Sequence, residues 1–379
     1  MGRIRFISVA IAILTANIAN AQSESERLTA QIESLTKRLE ALENKQEQSK
    51  IDSFYTPQLY GSMMAYFNVN TYDGDQRFAV RNAQIGVKGN ASNNASYCIQ
   101  VNFNNLASIS VLDSYIRYKA KSADLTLGQQ WIHITSDFDR TGPKTNIFPS
   151  RSFGVVYISS YTNGTAVKSF GIRDIGLYGN YTFKGEIPIT LSAGAFNGAG
   201  ANSIAWDNDI NLTGRVQIGG KKGLSGGGSI YGGTTAYDQS VMILSGELRY
   251  VNSKIFVEAN YQHKTVEMSS DDNQTTTTGL IQGYYTIKTP KSKLLDSYAP
   301  TLRYDFGEGM LYSNLSSGEV EEQSAGRISA LMSFMLKGSK IRSRFSLGYE
   351  KVFMDEKPSD YADNPLFQDR FTAAMTVVF

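Results

Sequence analysis

The sequence has few of the residues that cross-link secreted domains or carry hydrolytic and metal chemistry. It has one cysteine, Cys98, among 379 residues, so no internal disulfide can form. It has two histidines, His133 and His263, no G-x-S-x-G motif and no His/Cys cluster with metal-ligand spacing. An outer-membrane hydrolase using His133 is therefore a minor alternative, which lipid or peptide hydrolysis assays would test. We expect neither an enzyme nor a cofactor or metal.

Long apolar runs and a strong net charge are also missing. After the N-terminal residues no stretch is apolar enough to cross a bilayer as a helix, and the mean hydropathy is −0.27. A transmembrane β-barrel stays possible, because its strands alternate in polarity. The 37 basic and 35 acidic residues leave a formal charge of +2, which argues against a nucleic-acid partner. The 34 glycines and 22 tyrosines suit strand packing and a membrane interface.

The N-terminus has the features of a secretory signal. Arg3 and Arg5 precede an apolar stretch at residues 7–18, and the A-x-A triplet at residues 19–21 provides a cleavage site. The apolar stretch is too short to span a bilayer. We therefore predict that residues 1–21 are a signal peptide and that the protein leaves the cytoplasm.

Residues 22–50 differ in kind from the remainder of the chain. Five apolar residues recur at spacings of four, three, four and three, as in a coiled-coil seam: Leu28, Ile32, Leu35, Leu39 and Leu42. The pattern predicts a short coiled-coil helix, followed by a linker at residues 51–57 where Pro57 ends helical character. So few heptads do not determine how many helices the coiled coil contains. A trimer is favoured, while a dimer or a lone amphipathic helix stays open.

Residues 58–379 form a series of alternating segments long enough to cross a membrane as tilted strands. They predict an all-β fold, an antiparallel transmembrane β-barrel of about sixteen strands. Tight links alternate with longer ones at residues 198–207, 266–277, 307–323 and 354–369. Short turns at one end and long loops at the other are typical of periplasmic and extracellular rims. An even count puts both termini, and the coiled-coil helix, on the periplasmic side.

One link is much longer than the others. After Trp131 the alternation does not return until Arg173, and the intervening residues, about 133–172, carry both charges and apolar patches. Loops of this length are usually functional or disordered, and the apolar content argues against disorder. We expect the loop to fold into the lumen and constrict the pore. An external surface loop is the alternative.

The polar face of each strand would line a water-filled lumen. Leu212 and Val216 share one face of their strand, whereas Thr213 and Arg215 share the other. The candidates for setting ion selectivity are basic residues of the long loop and of inferred lumen faces: Arg140, Lys144, Arg151, Lys168, Arg215, Arg249, Arg303, Arg342 and Arg344. Each of them could instead be an ordinary solvated charge or be paired with a nearby acid such as Glu247 or Glu350.

The last ten residues alternate and end on Phe379, with no polar tail. Such a strand resembles the last strand of a bacterial outer-membrane barrel, where the terminal aromatic also serves as an assembly signal. We expect this strand to close the barrel by pairing with the first strand, at residues 58–69.

Five short segments, in order, resemble the phosphate-selective porin O and P family. They are residues 78–89 (FAVRNAQIGVKG), 112–118 (LDSYIRY), 125–130 (LTLGQQ), 173–177 (RDIGL) and 195–198 (AFNG). The resemblance implies a trimeric outer-membrane channel whose third loop constricts the pore. The chain departs from the family pattern at Asn82, which replaces the second of two paired arginines, and at Gln84. Channel function therefore carries over better than phosphate specificity.

Arg81 shares its alternation parity with Ile85 and Val87, which are apolar. We therefore expect Arg81 at the rim rather than in the lumen.

The leading functional hypothesis is a passive outer-membrane diffusion channel for small hydrophilic solutes, including anions such as phosphate. The expected partners are outer-membrane lipid, two further copies in a homotrimer, and the solutes. The alternative is a structural protein, which would tether the envelope through contact of residues 22–50 with the cell wall.

Overall fold

A computed structural model describes the chain at residues 33–38, 40, 54–105, 108–140, 142, 145–162, 165–204, 209–268, 273–338, 341–361 and 367–379. The chain divides into two compact units, Met1–Thr56 and Pro57–Phe379. The predicted signal peptide and most of the predicted coiled coil lie outside the described residues. Residues 33–38 and 40 are helical, with an ion pair of 2.8 Å between Lys37 and Glu33. No described helix has both the length and the apolar character needed to cross a membrane.

The larger unit is built almost entirely of strands. In chain order they are β1 Gln58–Asn70, β2 Gln76–Asn90, β3 Ala95–Asn105, β4 Ser108–Ala120, β5 Ala123–Trp131, β6 Ser160–Thr162, β7 Val167–Ser169, β8 Arg173–Phe183, β9 Ile189–Phe196, β10 Asn211–Ile218, β11 Gly223–Thr234, β12 Ser240–Val251, β13 Ile255–Glu267, β14 Asn273–Tyr285, β15 Ile287–Lys288, β16 Leu295–Ser313, β17 Val320–Leu336, β18 Arg342–Phe353 and β19 Arg370–Val378. Two short helices, a 3₁₀-helix at Phe138–Arg140 and an α-helix at Phe153–Tyr157, lie between β5 and β8.

The strands close into a single barrel. Each strand from β8 to β14 and from β16 to β19 pairs antiparallel with its chain neighbours, and β5 pairs directly with β8. The two-residue β15 continues β14 along the same partner, β16, and β6 pairs only with β7 in a separate hairpin. The described residues therefore form a closed antiparallel barrel of sixteen strands, which confirms the predicted fold class and count.

The barrel closes between its first and last strands, as predicted. β1 pairs with β19 from Ser62 opposite Val378 to Asn70 opposite Arg370. Gly61 and Phe379 extend the ladder with two reciprocal backbone hydrogen bonds of 3.0 and 3.1 Å. A Cβ atom at Gly61 would lie 2.5 Å from the Phe379 ring and 2.6 Å from the backbone oxygen of Gln84. Glycine at this position therefore allows the terminal ring to pack over the seam.

Two of the predicted long links are shorter in the structure. β16 and β17 extend to Ser313 and from Val320, so the predicted link 307–323 shrinks to a six-residue turn. β13 and β14 similarly extend into the predicted link 266–277. The alternation weakens at these strand ends, but the backbone ladder continues, since pairing in a sheet needs no particular side chain.

The outward face of the barrel is apolar and the inward face is polar. On β10, Leu212 and Val216 are 61% and 43% exposed, whereas Asn211 and Arg215 are buried. This pattern follows the strand period of two and confirms the face assignment made for this strand.

A bulge in β2 changes which residues point inward. Ser62 pairs with Gln84 but Met64 pairs with Arg81, so Asn82 and Ala83 together face one residue of β1. Asn82 has φ +58°, a left-handed conformation that asparagine tolerates better than most residues. The extra residue reverses the alternation between the two halves of β2.

Candidate functional site

The segment between β5 and β8, residues 132–172, folds across the inner face of the barrel; we call it the inner loop. Its residues bond to strands far away in sequence: Ser136 N donates to Glu247, and Ser150 accepts from Arg303. At its far end Lys264 of β13 donates to the carbonyl oxygen of Ser160. The inner loop is therefore fastened along its length to strands β10–β18.

Apolar side chains fill the space between the inner loop and the barrel wall. Ile134, Phe138 and Ile158 of the loop are almost completely buried and pack in one cluster with inward-facing wall residues such as Tyr231 and Ile243. Two further clusters centre on Phe153 with Tyr157 and on Ile147 with Phe148. This burial stabilises the inner loop inside the barrel.

A first ionic anchor holds the beginning of the inner loop. Arg215 of β10 lies between Asp139 of the loop, at 2.8 Å, and Glu247 of β12, at 2.5 Å. His133 Nδ1 lies 2.6 Å from the other Asp139 oxygen, and the His133 ring packs on Tyr178. Burial disfavours the charged carboxylate, but His133 and Arg215 outweigh it and hold the pKa of Asp139 below its usual range. His133 is thus engaged in positioning the loop.

Arg140 adds to this anchor from the loop side. Its guanidinium group pairs with Glu258 of β13, which is fully buried, and lies over the Phe256 ring with 4.4 Å to the centroid. A buried pair of this kind costs desolvation and is kept only with good geometry. Arg140 therefore holds the loop to the wall.

A second ionic anchor holds the middle of the inner loop. Asp305 of β16 is completely buried and accepts from Arg327 Nε at 3.1 Å and Arg327 Nη2 at 2.7 Å. It also accepts from the backbone N–H of Phe153 at 2.9 Å. Arg303 of the same strand donates to the Ser150 carbonyl at 3.1 Å and to its hydroxyl at 2.6 Å. The start of the loop helix is thereby fixed against β16 and β17.

The helix itself begins in a capped turn at this anchor. The Ser152 hydroxyl accepts from the backbone N–H of Val155 at 3.2 Å and donates to the buried carboxylate of Asp137. Arg327 Nη2 donates to the carbonyl of Arg151 at 2.6 Å, next to the cap. The Arg151 side chain itself is exposed.

Beside the second anchor lies a cavity of about 350 Å³ between the inner loop and the wall formed by β1, β2, β17, β18 and β19; we call it the arginine cavity. Its lining residues are Tyr66, Asn68, Arg77, Arg81, Pro149, Ser150, Arg151, Phe153, Val156, Tyr157, Arg327, Glu350, Arg370 and Thr372. Five arginines thus meet one carboxylate. Arg370 pairs with that carboxylate, Glu350, at 2.5 Å. Arg77, Arg81 and Arg151 have no ion pair within the described part of the chain.

The placement of Arg81 corrects the prediction that it lies at the rim. Because of the β2 bulge, Phe78 and Val80 point outward, with 85% and 52% exposure, while Arg77 and Arg81 point inward. Arg81 Nη1 donates to the carbonyl oxygen of Pro149 in the inner loop. Arg81 therefore bridges the gap between the loop and the facing wall.

A second, larger cavity of about 1030 Å³ lies nearer the end of the barrel where the last strand ends. Four basic residues line it, Lys288, Lys337, Arg342 and Arg344, together with one acid, Asp296. Arg344 Nη2 also donates to the carbonyl of Asn146 at 2.9 Å, so the inner loop roofs this cavity. These two cavities therefore each have an excess of positive side chains.

The structure separates the predicted site residues by position. Arg151 lines the arginine cavity, and Arg342 and Arg344 line the larger cavity. Arg140, Arg215 and Arg303 are buried or nearly buried in the ionic anchors. Lys168 is exposed on the β6–β7 hairpin, and Arg249 is half-buried on β12 beyond either cavity lining. Lys144 lies outside the described residues.

Four cavity arginines were not among the predicted site residues: Arg77, Arg81, Arg327 and Arg370. Arg327 shares its parity with Ser329 and Ser333, so the alternation of its strand did contain a signal for an inward position. Arg77 and Arg370 begin strands, where the sequence pattern does not show which face a side chain takes. Among the described residues no group of His, Cys, Asp and Glu is arranged to hold a metal ion.

The arrangement resembles known channels in sequence and in fold. The family model for phosphate-selective porin O and P matches residues 58–282, more than half of the chain. A search of curated protein sequences found none that matches this chain. Similar solved structures share 10–14% identity and so show the fold alone. They are Salmonella typhi OmpF in complex with daunomycin (14% identity, TM-score 0.58, 86% of this chain and 99% of that chain), the anion-selective porin from Comamonas acidovorans (10%, 0.57, 86% and 99%), and the trimer form of in-vitro folded OmpT from Vibrio cholerae (11%, 0.52, 86% and 99%).

Proposed function

Because the chain belongs to the phosphate-selective porin O and P family, we propose that this outer-membrane diffusion channel prefers anions and selects them at the arginine cavity. The observation that carries the proposal is the meeting of Arg77, Arg81 and Arg151, none of them ion-paired among the described residues, in a gap narrowed by the inner loop. Positive charge at a constriction lowers the energy of a passing anion and raises that of a cation.

The size of the effect follows from Coulomb's law. One arginine about 7 Å from an ion contributes about 0.6 kcal/mol in water and about 2 kcal/mol at an effective dielectric constant of about 20. The sign is opposite for anion and cation, so each unpaired arginine changes their ratio by about 8-fold with the value in water and by roughly several hundred-fold with the value at the lower dielectric constant. Three such residues support a clear anion preference even though the whole chain is nearly neutral.

The structure supports a general anion preference better than a phosphate-specific one. Asn82 stands beside Arg81 where family members have a second arginine, and both residues of this pair lie at the bulge. A tetrahedral, doubly charged anion gains most from paired bidentate guanidinium groups. The arginines of this cavity instead come from separate elements: β2, β17, β19 and the inner loop.

The test is the reversal potential of the purified channel in a planar bilayer under a potassium chloride gradient. We expect an anion-selective sign for the native channel and a shift toward zero for Arg81→Gln and Arg151→Gln. Lys254→Gln, which removes an exposed charge at a short turn, is the matched control and should leave the potential unchanged. A cation-selective native channel, or equal effects of all three substitutions, would overturn the proposal.

We also propose a homotrimer whose assembly is aided by a coiled coil at residues 22–50, on the periplasmic side. The trimer form of the Vibrio cholerae protein, with the same fold, supports the oligomeric state. The helical residues 33–38, with the Lys37–Glu33 pair, support the helix. Surrounding lipid is the expected partner of the apolar outer face. Cell-wall contact through residues 22–50 remains a separate hypothesis.

A further inference from the structure

Apolar groups share the arginine cavity with the arginines. Six of its fourteen lining residues belong to the inner loop, among them Pro149 and Val156, which are partly accessible, and Tyr66 of β1 also lines the cavity. Arg77, Arg81 and Arg151 complete the accessible surface. An ion that passes this gap therefore meets guanidinium groups and hydrocarbon at the same time.

This combination penalises strongly hydrated ions. Inorganic phosphate loses bound water in a narrow gap, and the carbon atoms of Pro149 and Val156 cannot replace the hydrogen bonds of that water. Contact between these carbon atoms and an apolar part of a solute, in contrast, is favourable, because it removes apolar surface from water. Ligand sites in proteins commonly combine an apolar lining with a few charged groups that fix orientation. The lining thus suits a solute that has an anionic head and a hydrocarbon body.

Two arginines of the second ionic anchor, of which Arg327 also lines the cavity, already pack against rings of the inner loop. Arg327 lies over Phe153 with 4.5 Å to the ring centroid, and Arg303 lies over Phe148 at 4.4 Å. Planar guanidinium groups stack on aromatic faces while their edges bind carboxylates. Arg77, Arg81 and Arg151 can offer both contacts to a solute in the same cavity.

We infer that the arginine cavity is a binding subsite for organic carboxylates with an apolar, in particular aromatic, body. This inference rests on the anion preference proposed above and adds the chemical class of the solute. Acetate and benzoate provide the comparison, since both carry one carboxylate and differ only in the body. A pore that selects by charge and size would favour the smaller acetate.

The experiment measures how strongly each solute blocks chloride current through single native channels. Benzoate should reach half-block at a concentration about fivefold or more below that of acetate, equivalent to about 1 kcal/mol. Inorganic phosphate at the same pH should block less strongly than benzoate. Benzamide, a neutral ring of the same size, should block much less than benzoate, because it lacks the charge that the arginines bind.

Val156→Thr tests the apolar contribution, because threonine keeps the shape of valine and changes its polarity. It should reduce the ratio of benzoate block to acetate block, because the charge of the cavity is the same in both proteins and only its polarity differs. Val167→Thr is the matched control, since it makes the same change in the same loop at a position that does not line the cavity. Each variant is first shown to form channels of native conductance.

The outcomes separate this inference from the proposed function. An anion-selective channel that binds acetate and benzoate equally overturns the subsite and leaves the anion preference intact. A channel without anion preference overturns both. Equal effects of Val156→Thr and Val167→Thr would place benzoate binding elsewhere in the barrel and also overturn the subsite.

Discussion

The second ionic anchor predicts that one buried carboxylate keeps the inner loop closed. Asp305→Asn preserves the shape of the side chain and removes its charge, while the loop amide of Phe153 and the guanidinium of Arg327 remain as donors. Hydrogen bonds to a charged partner contribute about 1.5–3 kcal/mol each. The substitution weakens the hydrogen bond from the Phe153 amide to residue 305, which joins this strand to the loop. It also weakens the pairing that positions Arg327, whose guanidinium group donates to the Arg151 carbonyl.

A loss of about 1.5–3 kcal/mol in loop docking raises the undocked fraction by about 10- to 150-fold. Apolar burial on either side of the anchor still holds the loop most of the time. Single-channel recordings should therefore show the native level interrupted by frequent, larger openings. The barrel itself should remain folded, because the backbone hydrogen bonds between its strands do not involve the Asp305 side chain.

Asp296→Asn on the same strand is the matched control. Asp296 is about half exposed and pairs with Lys288 at 2.7 Å in the larger cavity, away from the loop anchors. Exposed pairs of this kind contribute about 0–1 kcal/mol, so its openings should resemble those of the native channel. If Asp305→Asn gave a folded channel with native conductance and native noise, the reasoning that Asp305 holds the loop would be refuted.

Three further predictions concern assembly and pore geometry. Gly61→Ala places a Cβ atom in the seam between β1 and β19 and should lower the temperature at which the barrel unfolds, measured by its mobility on gels. Gly246→Ala is the control and should leave that temperature unchanged, because its Cβ atom would lie in open space. Asn82→Val puts a branched side chain at a left-handed position, at a cost of about 1–2 kcal/mol, and should turn Arg81 away from the pore and reduce anion selectivity. Asn82→Gly should preserve the inward position of Arg81 and the anion selectivity, because glycine adopts this conformation without strain. Deleting residues 22–50 should reduce the yield of trimers on native gels if the coiled coil aids assembly, and blebbing with intact trimers would favour tethering instead.

The sequence was most informative where a side chain does not contact the inner loop. Leu212 and Val216 alternate with Thr213 and Arg215 because one face of β10 points out of the barrel and the other points to the lumen or the inner loop. It was least informative where the loop covers the inner face. Ile243 is apolar and points inward, since it packs under the inner loop rather than lining water.

Alternation of polarity therefore determined the barrel, its strand number and the seam closed by Phe379, because the pattern records which medium each face contacts. It did not determine which basic residues line the arginine cavity. Arg215, Arg303 and Arg327 all point inward and are buried in the ionic anchors, whereas the fold of the inner loop leaves Arg151 exposed at the arginine cavity. A single extra residue at Asn82 turned Arg81 into the pore. Such choices depend on contacts between residues far apart in sequence, and only the tertiary structure decided them.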